Sequence, residues 1–333
     1  VAYQMGSNAR NWVTRFKEGL SIMSKFLPAY IASAENGQLG EKAAAARALM
    51  KSCALCPRRC GVDRTAGETG VCKTGNRAWV SSFNPHFGEE APLVGSGGSG
   101  TIFFTHCNLG CCFCQNYDIS HQGQGQPVTD AQLAGLMMEL QRVGCHNINF
   151  VTPTHVVPQI LSALEVAVDS GLKLPLVYNS SGYDSVVTLK LLDSVMDIYM
   201  PDFKFWDADA AGTTCDAPDY PEIARQAIKE MHRQVGDLEV DAKGIAQRGL
   251  LIRHLVMPEG MAGTRDIMRF ISKKISVDTY VNIMPQYRPC GDTRVSKALA
   301  RNLTAGEFKE ALKAAHAEGL TRLDNRRRSF MIL

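Results

Sequence analysis

The chain has 333 residues, 45% of them hydrophobic and 21% charged, with a formal net charge of +3 and 11 cysteines. This is ordinary globular composition, enough for one large core and a smaller appendage, and the mild charge gives no argument for a nucleic-acid partner. No stretch approaches the roughly 18 apolar residues of a membrane helix, and no basic segment followed by an apolar run marks secretion, so a cytoplasmic protein without membrane attachment is expected.

Residues 1–50 read as a helical extension, with Trp12, Phe16, Leu20, Met23 and Phe26 at three- and four-residue intervals, a break at Pro28 and an alanine-rich helix over 41–50. A cysteine-rich segment, 51–95, follows. It is dense in Gly and Arg up to residue 76 and loop-like and rich in Pro and Gly from 84 onward. From residue 101 short apolar runs alternate with helical patterns. Strands are expected at 101–105, 147–152, 174–179, 197–200, 250–256 and 279–284, and helices near 130–143, 157–170, 185–194, 220–235 and 264–275. Thr129 with Gln132, and Thr304 with Glu307, have capping-box spacing. Six strand–helix units within 96–300 argue for an α/β fold with a parallel sheet and right-handed crossovers. Six are too few to close an eight-stranded barrel, so a partial, open (β/α)6 barrel and an open doubly wound sheet both fit the count. In either, chemistry belongs at the C-terminal strand ends. Residues 301–333 hold a last helix, 305–317, and a basic tail whose Arg326, Arg327 and Arg328 read as solvated. The glycines of 95–100 formally match G-x-G-x-x-G but precede a strand, so they read as a flexible turn and not as a dinucleotide site.

Four cysteines fall within 53–72 and four within 107–114, while Cys145, Cys215 and Cys290 stand alone and read as small buried hydrophobes. In a reducing compartment such dense groups bind metal or do catalysis. Cys107, Cys111 and Cys114 are spaced C-x3-C-x2-C just after the first expected strand. Three thiolates suit three irons of a cubane cluster normally held by four. The missing fourth ligand leaves one iron open to a small molecule, as a catalytic metal site requires. A chance or zinc-binding cysteine cluster is the competing reading, although structural zinc prefers four ligands in two knuckles.

This loop, at the end of the first strand of a β/α chain, resembles the radical S-adenosylmethionine (SAM) superfamily. The resemblance implies a [4Fe-4S] cluster on Cys107, Cys111 and Cys114, with SAM chelating the open iron and cleaved reductively to a 5′-deoxyadenosyl radical. Phe113 occupies the family's aromatic position near the adenine. Strand-end segments 178–183, 200–204, 253–258 and 282–287 look like the pyruvate formate-lyase activating enzyme branch, over roughly residues 50 to 300. By that resemblance Asn179 and Ser181 approach the SAM ribose, Asp202 and Lys204 give polar contacts around SAM, and Arg253 pairs with its carboxylate. The family's Gly-Gly-Glu after the second strand is missing. That place reads Phe150-Val151-Thr152-Pro153-Thr154-His155, so the Thr152 or Thr154 hydroxyls and backbone carbonyls are expected to substitute, while His155 reads as a helix-start histidine without function, with an acid or base on the substrate side as the alternative.

Cys53, Cys56, Cys60 and Cys72 form C-x2-C-x3-C-x11-C, a complete four-thiolate set that predicts a closed metal site, either [4Fe-4S] or Zn2+. The spacing resembles the N-terminal cluster segment of molybdopterin oxidoreductases. The resemblances together imply hydrogen abstraction from a protein or peptide, with activation of a glycyl-radical enzyme as the leading reaction and ferredoxin or flavodoxin as electron donor. Modification of RNA or a small metabolite is the alternative within the class, and a non-catalytic iron–sulfur or zinc protein for electron transfer or scaffolding is the alternative outside it.

Overall fold

The computed structural model describes residues 26–324, so the helical period at Trp12, Phe16, Leu20 and Met23 and the tail arginines lie outside the described residues. Among the described residues nine strands form: β1 (Ala78–His86), β2 (Ser99–Phe104), β3 (Gln126–Val128), β4 (Ile148–Val151), β5 (Leu176–Asn179), β6 (Ile198–Tyr199), β7 (Glu239–Val240), β8 (Ala246–Leu255) and β9 (Tyr280–Met284). The six expected strands are β2, β4, β5, β6, β8 and β9. They lie side by side in chain order and all pair in parallel. An order without reversal leaves no switch point and sets the doubly wound alternative aside. The sheet is open, since β9 pairs with β8 and the far side ends on the antiparallel strands β1 and β3. Those two strands and the antiparallel β7 carry no clear sequence signal.

Alternation along each strand divides the sheet into two faces. Ile102, Phe150, Tyr178, Tyr199 and Ile252 are buried in the main core. The opposite row Thr101, Asn149, Val177 and Ile198 is aligned across four strands. Val177 and Ile198 of that row, with Leu251, pack against Leu93 in a second, smaller core. The segment between β1 and β2 therefore fills the lower part of this face and leaves its upper part free for a site. The expected turn forms over 95–97, while Ser99 and Gly100 already belong to β2, and it is tight: a Cβ on Gly97 would sit 2.0 Å from the Gly144 carbonyl oxygen.

Helices α1 (Ala29–Glu35), α2 (Gln38–Ala48), α3 (Asp130–Arg142), α4 (Val157–Asp169), α5 (Val186–Leu191), α6 (Ala208–Cys215), α7 (Tyr220–Val235), α8 (Thr264–Phe270) and α9 (Ala305–Ala317) make up the rest, besides single turns. Both capping boxes form, at Thr129 and at Thr304. The helix expected over 264–275 loosens after Phe270 into a π-turn, Ile271–Ile275, and α6 was not expected. The helical extension is anchored on the sheet, where the Ala29 amide donates to Asp197 at 2.8 Å and the Tyr30 hydroxyl donates to the Leu174 carbonyl at 3.0 Å.

Candidate metal and cofactor centre

Past β2 the backbone turns sharply at His106, whose φ of 63° is in the left-handed region. The following loop is pinned from three sides. The His106 amide donates to the Ile119 carbonyl, the Cys112 amide to the Thr214 carbonyl at 2.8 Å, and the Asp292 amide to the Cys112 carbonyl at 2.8 Å. Gly291 makes the last contact possible, because a Cβ there would lie 2.1 Å from the Cys112 oxygen.

The pinned loop borders a cavity of about 240 Å³ at the C-terminal ends of the parallel strands. Cys107, Cys111, Cys114 and Phe113 line one side, and Thr152, Asn179, Ser181, Asp202, Lys204 and Arg253 line the other. Residues scattered over about 150 positions are thus gathered around one space because each stands at the end of a neighbouring parallel strand. Thr154 is the exception among the expected cavity residues. It is buried and donates to Asp184 at 2.7 Å, away from the cavity. His155 is likewise buried, with Nε2 at 2.9 Å from the Thr105 carbonyl, and burial lowers its pKa to about 3. A neutral, enclosed imidazole holding a backbone carbonyl is structural, which favours the reading without function over the acid or base alternative.

Charge at the site is balanced in a network. Asp202 meets Lys204 at 2.5 Å and Arg253 Nε at 2.8 Å, and Arg253 Nη2 donates to Asn179 at 2.7 Å. Burial raises the Asp202 pKa, but the two cations overcome it and hold the carboxyl below its usual value. The remaining Arg253 nitrogen faces Glu89 at 3.8 Å. Every nitrogen of the Arg253 guanidinium thus faces an acceptor of the chain, Asp202, Asn179 or Glu89. Glu90 lies beside it, accepting from Asn282 at 2.7 Å. Burial, with the Glu89 charge adding to it, pushes its pKa up to about 7 against the pull of Arg253.

The thiols respond to the same setting. Burial pushes Cys107 up to about 12, and a contact with the Cys215 thiol, then burial, hold Cys111 well above the usual range. Such thiols ionise when a metal takes the place of the proton. Donors for the resulting sulfur charge are in place: the Leu109 amide points at Cys107 Sγ at 3.4 Å and the Ser120 hydroxyl at Cys114 Sγ at 3.1 Å. Among the described residues no three Cys, His, Asp or Glu are drawn together as ligands of a single ion. A cubane is a larger body, and its thiolates stand farther apart than the ligands of one ion. On the facing side Ser181 Oγ, Gln286 Oε1 and His106 Nδ1 are buried without a hydrogen-bond partner. A polar ligand would satisfy them, so the residues present fit a cluster on one side and a polar cofactor on the other.

The second cysteine group does not line this cavity. Cys53, Cys56 and Cys72 are buried and Cys60 is half-buried. Burial pushes Cys56 up to about 12, with Cys72, Cys53 and Cys60 all near enough to act on it. The Val71 amide points at Cys60 Sγ at 3.5 Å. Fully buried Arg64 lies 4.0 Å from Cys53 Sγ and donates to the Gly75 and His155 carbonyls.

Several residues beside the site escaped the sequence reading. Half-buried Cys290 donates to the Phe113 carbonyl at 3.1 Å and is no core filler, whereas Cys215 is buried in the main core as expected but also acts on the Cys111 thiol. Cys145, the third lone cysteine, is buried as expected. The adjacent acids Glu89 and Glu90, conspicuous within a stretch of Pro and Gly, were the one available signal for the carboxylates near Arg253.

No protein-family model matches the chain. Among solved structures it is similar to native anSMEcpe with bound AdoMet, at a TM-score of 0.44 and 11% identity, covering 64% of this chain and 57% of that one, little more than half its length. Among curated proteins it is 34% identical over 284 residues to the uncharacterized protein MJ0674 of Methanocaldococcus jannaschii, covering 83% of this chain and 77% of the relative. An identity sustained over that much of both sequences places the chain in the same family as MJ0674.

Proposed function

We propose that the chain is a radical SAM enzyme, with a [4Fe-4S] cluster on Cys107, Cys111 and Cys114 and SAM in the adjoining cavity. The observation that carries this reading is the cavity itself. Three thiols border it on one side, with unsatisfied buried oxygens and a charged network at strand ends on the other. When bound, the cluster supplies one electron at an open iron, which cleaves SAM to a 5′-deoxyadenosyl radical that abstracts hydrogen from the substrate.

The chain's own residues then have separable tasks. Lys204, held in place by Asp202, puts a positive charge beside Cys111 and favours its thiolate. Ser120 and the Leu109 amide stabilise sulfur charge by donation. Phe113, edge-on to Phe205 at 5.8 Å and to Tyr287 at 6.2 Å, offers an apolar wall for a purine. Thr152, Asn179 and Ser181 offer hydroxyl and amide groups to a ribose or an amino acid group. Cys53, Cys56, Cys60 and Cys72 hold a second, fully ligated metal, [4Fe-4S] or Zn2+. A protein or peptide substrate, a glycyl-radical enzyme first among them, and a ferredoxin or flavodoxin donor complete the proposal by family resemblance.

The test is equilibrium binding of SAM to the anaerobically reconstituted protein, with iron counted in parallel. Saturable binding of one SAM per chain that requires cluster iron supports the reading. A protein holding iron at the loop that binds no SAM contradicts it.

A further inference from the structure

The two cysteine groups lie far apart in sequence, yet one side chain spans them. Arg58, between Cys56 and Cys60, reaches into the three-cysteine loop. Its Nε donates to the Asn108 carbonyl at 2.9 Å and Nη2 to the Leu109 carbonyl at 3.0 Å. Nη2 also donates to the Cys215 carbonyl at 2.8 Å, and Nη1 to that of Asp216 at 2.5 Å. Asn108 and Leu109 lie between Cys107 and Cys111, and the segment of Cys215 is tied to the loop beside Cys111, where the Cys112 amide donates to the Thr214 carbonyl at 2.8 Å. The guanidinium also lies over the Tyr183 ring, 5.3 Å from its centre. The Tyr183 carbonyl in turn accepts from the Asn108 side chain at 2.8 Å. A rigid, permanently charged fork is the side chain suited to serve four carbonyls at once.

Nothing in the proposed chemistry needs a cation there, and four carbonyls recruited from two separate segments exceed what anchoring Arg58 itself would take. Both segments meet at Cys111. The geometry points to Arg58 as a positioning residue through which the four-cysteine segment sets the conformation of the loop from Cys107 to Cys111. Disturbing Cys53, Cys56, Cys60 or Cys72 moves Arg58, and the carbonyls it holds release the loop. The inference rests on the reading that this loop carries the cluster.

The experiment is a double-mutant cycle on the full-length, reconstituted protein, with hydrogen exchange followed in peptides covering 105–116 and, as internal control, β4 and β5. The variants are Arg58→Gln, the pair Cys53→Ser with Cys72→Ser, and all three together. Each of the first two is expected to speed exchange of the loop amides roughly tenfold or more, with β4 and β5 unchanged. The combination should add little to either, because both remove the same support. Arg58→Lys, which keeps the charge and loses the fork, should retain the iron count of the wild type. It should nevertheless fail to restore loop protection and should alter the reduced EPR signal that SAM perturbs. If Arg58→Gln also loosens β4 and β5, the cycle is run with Arg58→Lys in its place. Strictly additive effects, or loop exchange and an EPR signal like those of the wild type, overturn the inference. A non-additive cycle in a protein that cleaves no SAM keeps the clamp and rejects the cluster reading. An additive cycle in a protein that cleaves SAM does the reverse.

Discussion

The three-cysteine loop and the four-cysteine segment carry the same ligand type in opposite surroundings. The loop borders a cavity whose other side holds Ser181 and Gln286 oxygens without partners and a charged network reaching from Asp202 to Glu89. In the segment, Cys56 has three other thiols around it, three of the four cysteines are buried, and Arg64 is spent on backbone carbonyls. Unpartnered oxygens at a strand-end cavity favour a polar ligand there, whereas a buried four-thiol set favours a structural or electron-carrying role.

If that contrast is right, the segment should be sensitive in stability and the loop in chemistry. The largest effect is expected from Arg64→Met, which removes the cation bonded to the Gly75 and His155 carbonyls and leaves both without that donor. A loss of about 3–5 kcal/mol in denaturant unfolding is predicted. A change under about 1 kcal/mol would break the picture of a closed, stability-bearing segment.

Glu90→Gln is predicted to act next most strongly, and in the opposite sense. The folded-state pKa of Glu90 is raised to about 7 by burial, with Glu89 adding to it, against about 4.3 in the unfolded chain. The folded protein therefore binds more protons between those values, and stability falls as pH rises through that window. Glutamine removes the titration, so the variant should be more stable by roughly 3 kcal/mol at pH 8 and near parity by pH 4. Parallel pH–stability curves for variant and wild type would show that Glu90 is not the titrating group.

Lys204→Met should cost less in stability, about 1–3 kcal/mol, because Asp202 keeps Arg253 as a partner. Its main effect should fall on SAM affinity, read by equilibrium binding. Unchanged affinity would remove Lys204 from the site. Ser120→Ala is the smallest, about 1 kcal/mol or less. Loss of its donation to Cys114 Sγ should make the loop's cluster harder to reduce, seen as a more negative midpoint potential.

The part of this contrast legible in the sequence was set by short-range pattern. Runs such as Ile148–Val151 and Leu176–Asn179 declare buried parallel strands by apolar continuity, and cysteine spacing marked both thiol groups before any fold was known. Strand β1 was hidden because Pro85 and four serine, asparagine and histidine positions break its apolar alternation, while its pairing with β2 sustains it. Glu89 and Arg253 are 164 positions apart, Cys111 and Cys215 104, and Arg58 and Asn108 50, so their meeting is set by topology and leaves no local trace. Thr154 and His155 show the converse. Their polarity next to a strand end suggested a ligand, yet the Thr154 hydroxyl is taken by Asp184 and the His155 Nε2 by the Thr105 carbonyl.

Whether the three-cysteine loop starts radical chemistry is measured by anaerobic assay of 5′-deoxyadenosine and methionine after adding SAM and dithionite to the reconstituted protein. The control is the triple variant Cys107→Ala, Cys111→Ala, Cys114→Ala, with iron and zinc counted in both. The prediction is that the wild type forms 5′-deoxyadenosine and the variant forms none while keeping metal at the four-cysteine segment. A fully reconstituted wild type that forms none would contradict the account and favour an electron-carrying or scaffold role.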